Sequence, residues 1–166
     1  MRVEYINPFV ESAFVVLTDV LNPDKDNITA HVKRGEIYLK QKSMSIMGVA
    51  ALVGLAGDVE GRVLFDMTKE TALHVASAMN GQVIPTLDEL AKSTIQELAN
   101  MITGQAVTKL HELGFKFDLT PPALFSGDNM EISTKLGGEI EALIVPMELG
   151  AEGKIEVNVA LRERLK

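Results

Sequence analysis

The segment 86–114, TLDELAKSTIQELANMITGQAVTKLHELG, has the clearest helical pattern in this chain of 166 residues. Thr86 is the predicted N-cap, Glu89 three residues later would complete a capping box, and Gly114 would end the helix. Apolar residues recur at the spacing of an amphipathic helix. The predicted core face consists of Ala91, Ile95, Leu98, Ala99, Ile102, Ala106, Leu110 and Leu113.

The opposite side of this helix has an unusual composition for a surface exposed to water. Ser93, Glu97, Asn100 and Gly104 lie within about 40° of Ser93 when successive residues are 100° apart, and we call these four residues the polar stripe. Serine, asparagine and glycine form helices less well than alanine or lysine, and Gly104 alone costs about 1 kcal/mol relative to alanine. Small residues here indicate that another surface comes close, whereas the alternative is an ordinary solvated face.

Two shorter helices and a series of strands are predicted elsewhere in the chain. A helix is predicted over 8–21, with Asn7 as its N-cap and Pro8 at its first position. Another is predicted over 68–79, where Thr68 caps the start and Asn80-Gly81 ends it. Strands are predicted at 27–32, 36–42, within 43–55, and at 60–66, 115–119, 124–126, 130–135, 139–148 and 154–162.

This order of elements predicts an α+β fold, with a largely antiparallel sheet packed with long helices. Turns at Gly137-Gly138 and at 151–153 would join the last three strands into an antiparallel meander. The length predicts a single domain over residues 1–166. Each half opens with a helix and continues into strands, which predicts a pseudo-two-fold arrangement.

The composition disfavours several classes of protein. The chain contains no cysteine, which removes disulfides, thiol nucleophiles and thiolate metal sites. A net charge of −7 disfavours binding to nucleic acid or to anionic membranes. The N-terminus does not resemble a signal peptide, and the uncharged stretch 43–57 is shorter than the ~20 apolar residues that span a bilayer. We therefore expect a cytoplasmic protein.

The three histidines do not predict a metal site. None has the ligand spacing to a second histidine, so we expect core or surface positions for His31, His74 and His111. His111 follows the polar stripe two turns beyond Gly104, where it could border an interface.

The segment from Ser93 to Gly104, STIQELANMITG, resembles the active-site signature of the CheC/CheX/FliY phosphatases of bacterial chemotaxis. That signature is aspartate or serine, three residues, glutamate, two residues and asparagine. The segments 61–65, 87–90 and 120–127 also resemble the CheX members, so the resemblance covers nearly the whole chain. CheC-type members of the family usually carry two copies of the signature, but the first helix here reads Asn7-x3-Glu11-x2-Phe14. An aromatic ring cannot orient a water, so we expect one active site per chain.

The resemblance implies a function and a set of roles. The substrate would be the phosphorylated aspartate of a CheY-like response-regulator receiver, which carries its own Mg²⁺ and lysine. Asn100 would position an in-line water, and Glu97 would pair with the receiver lysine. Ser93 and Gly104 would allow close approach of the receiver. The protein would need no cofactor or metal of its own, and it would be a homodimer joined through a continuous sheet.

Two non-catalytic alternatives remain open at this level. The fold also resembles the middle domain of the flagellar switch protein FliM, which serves in assembly. That interpretation predicts loss of the glutamate and asparagine, yet Glu97 and Asn100 are both present. An adaptor that senses receiver phosphorylation without hydrolysing it could use the same residues.

Overall fold

The computed structural model describes residues 3–22, 31–40, 44–132 and 141–164. Its helices are α1 (Val3–Leu21), α2 (Lys69–Asn80) and α3 (Glu89–Glu112). Its strands are β1 (Lys33–Arg34), β2 (Tyr38–Lys40), β3 (Met44–Ser45), β4 (Val49–Gly57), β5 (Val59–Met67), β6 (Phe117–Leu119), β7 (Ala123–Ser126), β8 (Glu131–Ile132), β9 (Ala142–Glu148) and β10 (Lys154–Glu163). A short 3₁₀ turn at Gly150–Glu152 joins β9 to β10. The predicted α+β class is confirmed.

Eight of these strands form one antiparallel sheet. Its order is β1-β9-β10-β5-β4-β6, and β2 also pairs with β9 while β7 also pairs with β4. The hairpins β4–β5 and β9–β10 lie side by side because β5 pairs with β10 along its whole length. β3 and β8 form a separate two-stranded sheet. The largely antiparallel sheet is therefore confirmed, and the pseudo-two-fold relation stays a prediction.

The main core lies between one face of the sheet and the helices. Alternate residues of the four central strands point toward the helices, as expected for a strand period of two. Val53, Phe65, Val145 and Val157 represent β4, β5, β9 and β10 in this core. α1 and α3 pack against each other above the sheet. This packing buries one face of α3 and leaves the opposite face outward.

Helix α1 begins earlier than the sequence predicts. It starts at Val3, so Pro8 lies inside it and Asn7 is not its N-cap. Proline removes a helical hydrogen bond at this position, but tertiary contacts hold the first turn. Tyr5 is buried, packs edge-on against Phe115 with ring centroids 5.1 Å apart, and donates a hydrogen bond to Glu163. These distant partners explain why local signals placed the start too late.

The other two helices agree more closely with their predicted starts. The Thr68 side chain accepts from the Thr71 backbone N–H at 3.1 Å, which confirms it as the N-cap of α2. For α3 the N-cap is Asp88, whose side chain accepts from the Ala91 N–H at 2.9 Å, so Thr86 was the wrong choice. Threonine and aspartate side chains can both cap a helix. Because α3 begins at Glu89, the adjacent Asp88 is the cap.

The predicted three-strand meander is wrong. β8 pairs with β3 through Met44↔Ile132 and Ser45↔Glu131, so only the β9–β10 hairpin is confirmed. The region 43–55, which was predicted to contain a strand, contains β3 and most of β4, and the backbone between them turns at Gly48 with a φ of 148°. Most of the strand predicted at 27–32 lies outside the described residues, as does the turn Gly137-Gly138, and residues 31–32 are not in a strand.

The residue that follows α3 does not belong to the core. Leu113, predicted as core, follows the last turn of α3 and is 59% exposed. None of the helices in the described part of the chain combines the length and the apolar character that crossing a bilayer requires.

Candidate functional site

The structure places the polar stripe on the outer side of α3. Ser93, Glu97 and Asn100 are exposed and Gly104 is partly exposed. The opposite side of the same helix is buried, as at Ile95, Leu98 and Ile102. The four residues therefore form one continuous surface away from the core, as the helical pattern predicts.

The stripe presents one carboxylate and one amide at the surface, on Glu97 and Asn100. Within the described part of the chain, the carboxylate of Glu97 and the amide of Asn100 have no hydrogen-bonding partner. Ser93 differs, because its hydroxyl donates to the Leu90 carbonyl of the preceding turn at 3.1 Å. Glu97 and Asn100 thus keep their full donor and acceptor capacity for a ligand or a partner.

Gly104 is not required by the fold. A Cβ atom added at this position would meet no atom within 4 Å, so the space beside it is open. Its carbonyl accepts a hydrogen bond from the Thr108 hydroxyl at 3.0 Å, within the same helix. Since alanine would fit and would favour the helix, the absence of a side chain needs a reason outside this chain.

A second wall faces the stripe and makes it one side of a groove. The segment Leu119–Pro122, which we call the loop, consists of the last residue of β6 and the connection to β7, and it lies beside the first half of α3. The groove has a volume of about 500 Å³. It is lined by Ser93, Gln96, Glu97, Asn100, Leu119, Thr120, Pro121 and Pro122. Sequence reasoning missed this wall, although the Pro121-Pro122 break was visible in the sequence.

Hydrogen bonds hold this loop at both ends. The Gln96 side-chain amide donates to the Pro122 carbonyl at 3.0 Å. At the other end, the Thr120 N–H donates to the Gly54 carbonyl at 2.9 Å, and the Gly54 N–H donates to Thr120 Oγ1 at 2.8 Å. An added Cβ on Gly54 would lie 3.1 Å from the Thr120 methyl group, so the close approach depends on glycine.

The degenerate copy of the signature lies on α1 and differs from the polar stripe. Asn7, Glu11 and Phe14 are exposed on that helix. The Glu11 carboxylate accepts from Lys109 Nζ on α3 at 2.8 Å, whereas Glu97 is unpaired among the described residues. In the spacing of the signature, Phe14 stands where the intact copy has Asn100. This surface keeps the Asn7 amide, but its glutamate is already paired and no amide follows that glutamate by three residues.

The ionisable groups whose pKa values are shifted lie on the face of the sheet that points away from the helices. Tyr38 is partly exposed, and the burial of the rest of its side chain, followed by the hydrogen bond that its hydroxyl donates to Glu156 Oε2 at 2.8 Å, raises its pKa to about 12. Burial lowers the pKa of Arg62, which donates to Asn158 Oδ1 at 3.1 Å. Asp66 is buried and accepts from the Met47 N–H at 2.9 Å, which is a structural role. None of these residues lines the groove.

His111 lies at the far end of the same side of α3. It is exposed, and its ring centroid lies 5.2 Å from that of Phe117. Among the described residues, histidine, aspartate and glutamate side chains form no group of three that could hold a metal ion. The chemistry available in the groove is therefore that of a carboxylate, amides and hydroxyls.

Comparison with known proteins decides the family. A family model described as "Chemotaxis phosphatase CheX" matches residues 49–148, which is more than half of the chain. The CheY-P phosphatase CheX of Thermotoga maritima is 30% identical, over 98% of this chain and 98% of its own. The chain belongs to the CheX family. The resemblance inferred from the polar stripe is confirmed at this level.

Solved structures of the CheX family have the same fold. In the CheX-CheY-BeF3-Mg²⁺ complex from Borrelia burgdorferi, one chain is 44% identical, with a TM-score of 0.81 and coverage of 98% of this chain and 100% of that one. A CheC-like superfamily protein from a Shewanella species is 27% identical, with a TM-score of 0.83 and coverage of 98% and 99%. The predicted CheC/CheX-like fold is thus confirmed.

Proposed function

We propose that this CheX-family protein is a cytoplasmic phosphatase that hydrolyses the aspartyl phosphate of a CheY-like receiver domain. The observation that carries the proposal is the exposed pair Glu97 and Asn100, which has no hydrogen-bonding partner among the described residues and lies in a groove of a CheX-type fold. A relative named as a CheY-P phosphatase and a relative solved in complex with CheY support it.

Asn100 is the proposed catalytic residue. Its side-chain oxygen would accept a hydrogen bond from a water, and its NH₂ group would donate to a phosphoryl oxygen. The water would then attack phosphorus in line with the bond to the aspartate oxygen. That bond breaks, the receiver aspartate is restored as a carboxylate, and inorganic phosphate leaves. Because the transition state is loose, positioning the water is the main contribution required.

Glu97 is the proposed docking partner of the receiver lysine. It lies three residues before Asn100 and therefore one helical turn away on the same side. An ion pair there would fix the register of the receiver relative to Asn100. The receiver would supply Mg²⁺ and the lysine, while this chain would supply no cofactor of its own.

Ser93 and Gly104 are the proposed close-approach positions at the two ends of the stripe. Both lie on the outer side of α3, where Ser93 has a small side chain and Gly104, which has none, borders open space. A receiver could therefore reach Asn100 without meeting a bulky side chain on either side.

The proposal is tested by the rate at which a purified phospho-receiver loses phosphate. We expect a substoichiometric amount of this protein to accelerate the loss. Tight binding of the receiver without acceleration would contradict the proposal and would favour a receiver-binding module of the FliM or adaptor type.

The Glu97→Ala variant should lose both docking and turnover. Removing the carboxylate deletes a charge-assisted contact, so we expect roughly a tenfold loss of affinity for the phospho-receiver. The defect should shrink as ionic strength rises, because exposed charges are screened by salt. The Glu112→Ala variant, which removes an exposed glutamate at the end of the same helix, is the matched control. Unchanged affinity in Glu97→Ala would remove the lysine-pairing role.

We also propose a homodimer that forms through an edge of the sheet. Tyr38 and Leu39 are exposed apolar residues on the short edge strand β2, and unpaired edges favour pairing with another chain. Light scattering should give a mass twice the 18.0 kDa of one chain. The Leu39→Lys variant should shift the population toward monomer, whereas Leu113→Lys, at another exposed leucine, should not. A mass of one chain at all concentrations would contradict the dimer.

A further inference from the structure

The groove has two walls of different chemistry. The α3 wall presents Glu97 and Asn100, which are polar and exposed. The loop wall consists of Leu119, Thr120, Pro121 and Pro122, none of which carries a charge. A receiver that reaches Asn100 must enter the space between these two walls.

We propose that Gln96 is a positioning residue that holds the Leu119–Pro122 loop as the second wall of the receiver site. In this arrangement the loop contacts an apolar segment of the receiver beside its phosphorylated aspartate. The inference rests on the proposed function and deepens it, because it assigns the surface that recognises the receiver next to the reacting group. The loop wall is continuous with the polar stripe in one groove, which is why the same partner is its occupant.

The contacts of the loop make it a rigid wall. Its two prolines have restricted backbones, and its ends are held by Gln96 on α3 and by Gly54 on β4. A surface fixed before binding loses little conformational entropy when the partner docks. Releasing either end would therefore weaken binding without removing any group that takes part in the reaction.

Gln96 acts on binding rather than on the chemical step. Its side chain donates to the Pro122 carbonyl, while Asn100 lies in the middle of the 24-residue helix α3. Because the helix is held by its own backbone hydrogen bonds, we expect Asn100 to keep its position when this bond is lost. Loss of the bond should raise KM for the phospho-receiver and leave kcat almost unchanged. This pattern differs from that of Asn100, where loss of the amide lowers kcat.

The test uses two variants that each remove one side-chain hydrogen bond, at opposite ends of the loop; the backbone bond from the Thr120 N–H to the Gly54 carbonyl stays in both. Gln96→Met keeps the length of the side chain but cannot donate to Pro122, and Thr120→Val removes the acceptor of the Gly54 N–H. We expect each to raise KM three- to tenfold, about the effect of one lost hydrogen bond, with kcat changed less than about twofold. Gln105→Met, at an exposed position on the same helix but off the stripe, is the matched control and should behave as wild type.

The double variant separates a loop effect from a direct contact. If both bonds act by holding one loop, the rise in KM in Gln96→Met/Thr120→Val should be smaller than the product of the single effects. A fully multiplicative result, an unchanged KM in both single variants or a loss confined to kcat would each overturn the inference. Asn100→Ala, measured alongside, keeps the two proposals distinct. If it abolishes turnover while the loop variants keep normal KM, only the positioning role fails.

Discussion

Replacing Asn100 with alanine should reduce kcat for dephosphorylation by at least about 100-fold, the typical cost of losing one group that stabilises a transition state. The amide has no other assigned partner among the described residues, so its loss leaves the fold without a defect. Alanine is also the better helix former. The measurement is phosphate release from a phospho-receiver in a single-turnover assay.

Receiver affinity should change little in the Asn100→Ala variant, because the amide acts mainly in the transition state. Titration with a receiver loaded with beryllofluoride and Mg²⁺ measures this separately from turnover. Gln105→Ala removes an exposed amide elsewhere on α3 and serves as the control. A variant that still accelerates dephosphorylation at nearly the wild-type rate would show that Asn100 does not position the water.

The Gly104→Leu variant should fold normally and lose the receiver. The Cβ direction at Gly104 leads into open space, so the added side chain would meet no atom of its own chain at that point. The same side chain would stand on the stripe, one turn beyond Asn100, where the receiver must approach. We expect affinity and hydrolysis to fall together by more than about 100-fold, because a bulky group would separate the two surfaces.

Two companion variants define what a normal result looks like. Gly104→Ala should stabilise the protein by up to about 1 kcal/mol, since alanine replaces glycine in a helix interior. Gln105→Leu adds an exposed leucine at the adjacent position, off the stripe, and should bind the receiver normally. If Gly104→Leu unfolds, Gly104 has a structural role after all. If it folds and binds normally, the receiver docks elsewhere.

The helix α3 shows how much of a site a sequence can predict. A helix fixes the angle between its residues, so the spacing of Ser93, Glu97, Asn100 and Gly104 already places them on one side. The apolar residues on the other side decide which side is buried. The direction of the stripe therefore follows from local periodicity alone, and the structure agrees with it.

The pairing of strands, in contrast, could not be predicted from local spacing. The segment around Ile132 was predicted to join the following strand, yet it pairs with Met44–Ser45 far back in the chain. The pattern of apolar residues in a short strand says which face is buried but not which neighbour supplies the hydrogen bonds. Likewise, the early start of α1 depends on the contacts of Tyr5 with Phe115 and Glu163.

The sequence by itself determined the α+β class, the long helix α3, the outward polar stripe and the family to which the chain belongs. All of these depend on local spacing, which is fixed by the geometry of a helix or by a short signature. Only the tertiary structure decided that the stripe faces a second wall. That wall exists because Thr120 reaches Gly54 and Gln96 reaches Pro122, across 66 and 26 residues of sequence. Contacts at such separations depend on the complete packing of the sheet against α3, which no local pattern encodes.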